Sequence, residues 1–171
     1  VWTAHQCDPR LSWQDVECIK RRWGGQLIVK GIMDSEDAQL AVSAGADALI
    51  VSNHGGRQLD GVSSSIRLLP EIVAAVGEEI EVHFDGGIRS GQDVLKAIAL
   101  GAKGTYIGRS MLYGLGAMGE KGVTTSLNII RNEFDLSMAF CGKTSVAAID
   151  AGILREAVRP PVSHQNTSSN S

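Results

Sequence analysis

Four short apolar runs divide the chain, and their spacing constrains the fold more than any other feature. They are QLIVKG at 26–31, DALIVSN at 47–53, IEVHFDGG at 80–87 and GTYIGR at 104–109. Each is rich in apolar residues and bounded by glycine or a polar residue, the pattern of strands buried on both faces. Between them lie segments of helical character with readable ends. Asp34 or Ser35 caps a helix through EDAQLAVSA that stops at Gly45. Pro70 suits the first turn of PEIVAAV, closed by Gly77. Ser90 and Asp93 form a capping box that opens GQDVLKAIAL, ended by Gly101. Ser12 opens WQDVECIKRRW upstream, and GVTTSLNIIRNEFDLSMAFCG at 122–142 reads as a long amphipathic helix.

Strand then helix, four times over, implies parallel pairing with the helices outside the sheet. A doubly wound sheet and a TIM barrel both satisfy that alternation. A whole barrel takes ~250 residues and eight strands, so a chain of 171 residues corresponds to half of one. That length still suffices to bury a core. From Arg155 onward, two adjacent prolines and a Ser/Asn-rich end predict a disordered tail over 155–171, leaving 1–154 as the structured unit.

Composition removes several function classes. A formal net charge of -3 and an isoelectric point near 5.8 argue against a nucleic-acid-binding face. The one basic run, KRRW at 20–23, complements the dipole at a helix C-terminus. Cys7, Cys18 and Cys141 show no CxxC spacing, so neither a disulfide framework nor a zinc site is expected. A reducing, cytoplasmic setting is expected, with peripheral membrane contact left open. No apolar run approaches the ~18 residues of a membrane span, and no signal-peptide pattern is present. The first residue is Val1, which leads us to expect a longer parent protein.

In parallel α/β architectures chemistry collects at the C-terminal ends of strands. All four ends here carry unusual residues. The first ends in Lys30, where an ammonium needs a negative partner: a structural ion pair or a ligand. The second ends in Ser52-Asn53-His54-Gly55-Gly56-Arg57. Histidine can accept a proton near neutral pH, arginine can clamp a carboxylate with two parallel hydrogen bonds, and the glycines admit a ligand closely. Such a histidine is ordinarily only a surface residue; its arginine three positions on favours function. The third end, FDGGIRSG, offers backbone N–H groups at Gly86 and Gly87, the cation Arg89, and the positive end of the helix that Ser90 caps. The fourth offers Gly108 and Arg109. Together the last two ends form a phosphate cradle.

At these residues the sequence resembles the FMN-dependent 2-hydroxy-acid oxidase and dehydrogenase family, which includes glycolate oxidase, L-lactate dehydrogenases, lactate oxidase and mandelate dehydrogenase. The resemblance runs over roughly residues 8–154 and rests on DPRLSWQDV, LIVKGI, SNHGGRQLD, DGGIRSGQDVLKAIALGA and YIGRSMLYGL. SNHGGRQLD is specific to that family, whereas GGIR is shared with other phosphate-binding barrels. The resemblance implies an α/β fold, the C-terminal half of a TIM (β/α)8 barrel with four parallel βα units. It implies FMN as cofactor and a small L-2-hydroxy acid of the lactate, glycolate or mandelate class as substrate. It also implies an electron acceptor (oxygen, quinone or cytochrome) and a homo-oligomer in the full-length form, with no nucleic acid expected on the charge grounds above.

By position, the resemblance makes His54 the catalytic base and Arg57 the holder of the substrate carboxylate. Lys30 would face the pyrimidine edge of the flavin, and Ser52 would contact the flavin as well. Asp85, Gly86, Gly87, Ile88 and Arg89, with Gly108 and Arg109, would bind the ribityl chain and phosphate. The family carries an N-terminal half with four more strands, a substrate-contacting tyrosine and an aspartate that orients the histidine. Only VWTAHQCDPRL precedes the first helix here, so the chain is expected to be a fragment with negligible turnover by itself. Two other readings remain open: a non-catalytic phosphate- or FMN-binding half-barrel or partner subunit, and a nucleotide- or isoprenoid-processing FMN barrel that shares the GGIR cradle.

Overall fold

A computed structural model describes Asp8 and residues 10–155; the expected tail lies almost entirely outside the described residues. Helix α1 (Trp13–Trp23) precedes strand β1 (Ile28–Ile32), and α2 (Ser35–Ser43) leads to β2 (Ala48–Val51). Helix α3 (Ser65–Val76), β3 (Glu81–Asp85), α4 (Gly91–Ala99), β4 (Gly104–Tyr106) and α5 (Arg109–Phe140) follow. The four strands pair in parallel in the order β1-β2-β3-β4. A doubly wound sheet reverses its strand order at a switch point. Sequential order without reversal is the barrel arrangement, so the sheet is part of a TIM barrel.

The core lies on one side of this sheet. Leu49 and Val51 of β2 and Val82 and Phe84 of β3 point outward against Leu69, Ile72 and Val76 of α3 and Ala97 of α4. Burying each large side chain there contributes about 1.5–3 kcal/mol. The expectation of strands buried on both faces holds for β2 alone. In β1 and β3, alternate residues are open on the inner face, with Ile28 exposed and His83 and Asp85 half-buried. The physical reason is that helices cover only the outer face among the described residues.

Local chemistry sets most element ends as expected. Ser12 donates its backbone N–H and hydroxyl to Asp15, and Asp34 accepts from the Glu36 amide at the start of α2. Two expectations require correction. Helix α3 begins at Ser65, so Pro70 lies inside it rather than in its first turn. The long helix begins at Arg109, not Gly122, and breaks at Met118 and Gly119, where Gly119 has φ +58. The two arms cross where Gly114 meets Gly122 so closely that a Cβ at Gly122 would overlap the Gly114 carbonyl. Among the described residues no helix is long and apolar enough to cross a membrane.

Candidate active site

The four strand ends open on one pocket of about 620 Å³, within the range of small-molecule sites. Lys30, His54, Arg57 and Asp85 line it, together with Gly86, Gly87, Ile88, Arg89, Gly108 and Arg109. Ser52 does not: it is fully buried beneath the wall. Its hydroxyl accepts from Lys30 Nζ (3.0 Å) and from the His54 backbone N–H (3.1 Å), and donates to Asp85 Oδ2 (2.7 Å). One donor and two lone pairs are thereby used up.

His54 is placed by two neighbouring peculiarities. It has φ +54, in the left-handed region that a non-glycine residue seldom occupies. Asn53 Oδ1 accepts from the Gly55 amide (3.0 Å) and Ser52 from that of His54, which hold the short turn His54–Gly56 in shape. The imidazole then lies on Gly31. A Cβ at Gly31, whose φ is +102, would sit 2.6 Å from His54 Cε1. The β1–β2 register shifts between Lys30 and Ile32, so Gly31 forms a bulge, a device that re-aims neighbouring side chains. No carboxylate pairs with the imidazole of His54 among the described residues.

Asp85 is the only carboxylate lining the pocket among the described residues. Its Oδ2 lies 2.9 Å from Lys30 Nζ. Burial opposes its ionisation, but hydrogen bonds from Lys30 and Ser52 and the charges of Lys30 and His54 outweigh burial. Together they hold the carboxyl below the usual aspartate range. Against this one anion stand Lys30, Arg57, Arg89 and Arg109 on the same pocket. The three arginines form no ion pair among the described residues. A chain with net charge -3 has thus gathered uncompensated cations in one place.

The cradle at the third and fourth strand ends fits a phosphorylated ligand, with one correction. The N-terminus of α4 is already occupied. Asp93 Oδ2 accepts from the amides of Arg89 and Ser90 at 3.1 Å, and Glu133 Oε2 accepts from the Gly91 amide at 2.9 Å. The capping box that made this helix legible takes up the amides of Arg89, Ser90 and Asp93, and Glu133 takes that of Gly91. The open helix end is that of α5, whose cap is Gly108 and carries no side-chain capping bond. Nothing lies within 4 Å of where a Cβ would stand at Gly87 or Gly108, which leaves both backbones open to the pocket. At Gly86, φ +113 and the Ser65 hydroxyl 2.7 Å from a would-be Cβ admit only glycine. Arg109 reaches across the pocket, its Nη2 3.3 Å from a would-be Cβ at Gly55. These features suit the phosphate of FMN.

Gln58, Tyr106, Ser110 and Leu112 also line the pocket and were not singled out from the sequence. Period-two alternation from Gly104 points Tyr106 to the inner face, and Ser110 and Leu112 belong to the first turn of α5 beside Arg109. The Ser110 hydroxyl donates to the Ile88 carbonyl (3.2 Å) and so ties the two cradle loops together.

Sequential parallel strands with an anion-attracting mouth at their C-terminal ends define a class, the TIM-barrel proteins that bind ligands at that mouth. Comparison with known proteins narrows the class. The sequence profile described as FMN-dependent dehydrogenase matches residues 1–156, and the chain belongs to that family, whose cofactor is FMN. It is 53% identical over 157 residues to an L-lactate dehydrogenase of Pseudomonas syringae pv. syringae (strain B728a), covering 92% of this chain and 41% of that protein. It is 48% identical over 155 residues to 2-hydroxyacid oxidase 1 of Mus musculus, covering 91% and 42%. Among solved structures, mandelate oxidase with benzoyl-formic acid superposes with a TM-score of 0.79 at 47% identity, covering 81% of this chain and 42% of that one. The chain therefore spans about two fifths of the length of these relatives.

Proposed function

We propose that the protein takes part in the FMN-dependent oxidation of a small L-2-hydroxy acid to the 2-keto acid. The observation that carries this reading is the pocket itself, where an imidazole and uncompensated cations converge in an acidic chain. The oxidation removes two electrons and two protons from the substrate. When bound, FMN supplies the two-electron acceptor. Arg57, exposed and three residues from the imidazole, holds the substrate carboxylate through two parallel hydrogen bonds and so orients the carbon to be oxidised. His54 takes a proton at an imidazole nitrogen. The same base serves whether the hydroxyl proton or the α-carbon proton leaves first.

Lys30 presents an ammonium where negative charge develops during the transfer, and Ser52 and Asp85 fix that ammonium from below. The Gly86–Gly87 turn, Arg89, Gly108 and Arg109 hold the phosphate, with Ile88 closing the wall. The electrons then pass to an acceptor, for which oxygen, a quinone and a cytochrome are the available classes. A second reading, a half-barrel that binds FMN or phosphate without catalysis, draws on the His54 imidazole having no carboxylate partner among the described residues.

Anaerobic mixing of the FMN-loaded protein, assembled with the remaining length of the relatives, with L-lactate, glycolate and mandelate separates the two. Catalysis bleaches the flavin. His54→Ala then keeps FMN but slows bleaching by about 10²–10⁴-fold, the usual effect of losing a general base. Arg57→Lys keeps a charge but loses the two-pronged geometry, raising the substrate concentration required. FMN uptake with no bleaching in that assembly favours the non-catalytic reading. Bleaching undiminished in His54→Ala removes His54 as the base.

A further inference from the structure

The Lys30 ammonium is held inside the protein by two neighbours. It donates to Ser52 Oγ at 3.0 Å and lies 2.9 Å from Asp85 Oδ2 as an ion pair. The same ammonium lines the pocket, where it can meet a ligand. Asp85 Oδ2 also accepts the Ser52 hydroxyl at 2.7 Å, and the same hydroxyl receives the His54 amide. Lys30, Ser52, His54 and Asp85 thus share one hydrogen-bonded unit built from three strand ends. Tyr106 stands opposite Asp85 in the β3–β4 register, and His83 lies two residues back on the inner face, bonded to Glu81. Neither presents a second anion to Lys30.

We propose that Asp85 is a positioning and charge-setting residue: it neutralises and aims the Lys30 ammonium, with Ser52 as the bridge, and so limits how strongly the pocket stabilises negative charge on a bound flavin ring. This rests on the flavin reading above and goes beyond it, because it assigns Asp85 a role through Lys30 rather than through contact with the cofactor. Two unit charges in contact cancel at any distance much greater than their separation. An anion forming in the pocket therefore meets a paired ammonium, weaker than a bare one. The arginines differ in this respect, since none has a carboxylate partner among the described residues. The geometry divides the pocket into an unmuted phosphate cradle and a muted cation where the chemistry occurs.

Two measurements test the proposal, the first without flavin. The Asp85 carboxyl carbon is titrated by NMR in the wild-type chain and in Lys30→Met, which keeps the length of the side chain and removes its charge. The wild-type carboxyl titrates below the ordinary aspartate range, and Lys30→Met moves it up. Ordinary titration that Lys30→Met does not alter overturns the proposal.

The second measurement uses FMN-loaded protein and sulfite, which adds to oxidised flavins and leaves a negative charge on the ring. Asp85→Asn conserves shape and still accepts from Ser52, but leaves the ammonium unmuted. It tightens sulfite binding by about tenfold or more, the scale of one unit charge within a partly solvated site. A merely structural Asp85 predicts the opposite, weaker sulfite and FMN binding, and either that result or no change overturns the proposal. Wild-type protein that takes up no FMN even after assembly with the remaining length of the relatives, while the NMR shifts hold, refutes the flavin reading for this pocket and the ring-directed part of the proposal. The Lys30–Asp85 pair then stands on the NMR alone.

Discussion

Gly31→Ala is the substitution that most directly interrogates how the site is assembled. Gly31 has φ +102, and an alanine Cβ there would stand 2.6 Å from His54 Cε1. The backbone term alone is about 1–3 kcal/mol for an L-residue held in a sparsely populated region. Forcing a methyl against the imidazole adds about 1–3 kcal/mol of overpacking. The expected loss is therefore about 2–6 kcal/mol, part or all of the stability of a domain this size. With a urea slope of about 2 kcal/mol/M, the unfolding midpoint falls by about 1–3 M. Gly61→Ala is the control, because Gly61 has φ +79 and nothing within 4 Å of its would-be Cβ, so it carries the backbone term only. A double-mutant cycle isolates the contact. In a His54→Ala background the clash is gone, and Gly31→Ala should cost about 1–3 kcal/mol less than in the wild type. Equal costs with and without the ring would show that the imidazole does not rest on Gly31, and the account of its placement would fail.

Further expectations follow from other parts of the molecule. Arg109→Ala should weaken FMN or inorganic phosphate binding by about 1–3 kcal/mol, the scale of a lost hydrogen bond to a charged group; unchanged fluorescence titrations would remove Arg109 from the cradle. Asp85 has its native pKa lowered by Lys30 and Ser52 against the pull of burial, so its contribution to stability is present above the unfolded value of about 3.9 and is lost as pH falls through the native one. Asp85→Asn should accordingly flatten the acid side of a stability–pH profile, and a superimposable slope in the variant would contradict the pairing. Gly122→Ala should lower stability by at least about 1–3 kcal/mol, because its Cβ would meet the Gly114 backbone where the arms of α5 cross; an unchanged denaturation midpoint would mean that the crossing is not close.

What could be read from the sequence is what depends on near neighbours. The strands, their parallel pairing and the capping residues Ser12, Asp34 and Ser90 follow from periodicity and from side chains within three positions. The cations at the strand ends were legible for the same reason. Pro70 misled because first-turn preference is a statistical habit, and here Ser65 to Leu69 already form the helix ahead of it. The α4 terminus misled more instructively. Asp93 of the capping box takes the Arg89 and Ser90 amides, a contact the local pattern already carried, whereas Glu133, 42 residues away, takes the Gly91 amide through a contact that no local pattern encodes.

The same distinction separates the two halves of the pocket. The proposed phosphate cradle is made of adjacent residues, Gly86 to Arg89 and Gly108 to Arg109, and the Ser110–Ile88 hydrogen bond ties one loop to the other. The chemical half depends on distant partners: His54 needs the bulge at Gly31, and Lys30 needs Ser52 and Asp85, 22 and 55 positions further along. Register therefore matters more for His54 and Lys30 than for the glycine–arginine loops of β3 and β4. A one-residue slip of β1 would turn Lys30 away from the inner face and carry Gly31 out from under the imidazole, while leaving the cradle on β3 and β4 intact. Perturbations of β1 should thus separate ligand binding from chemistry, sparing phosphate affinity while displacing His54 and Lys30, the groups proposed to handle the proton and the charge.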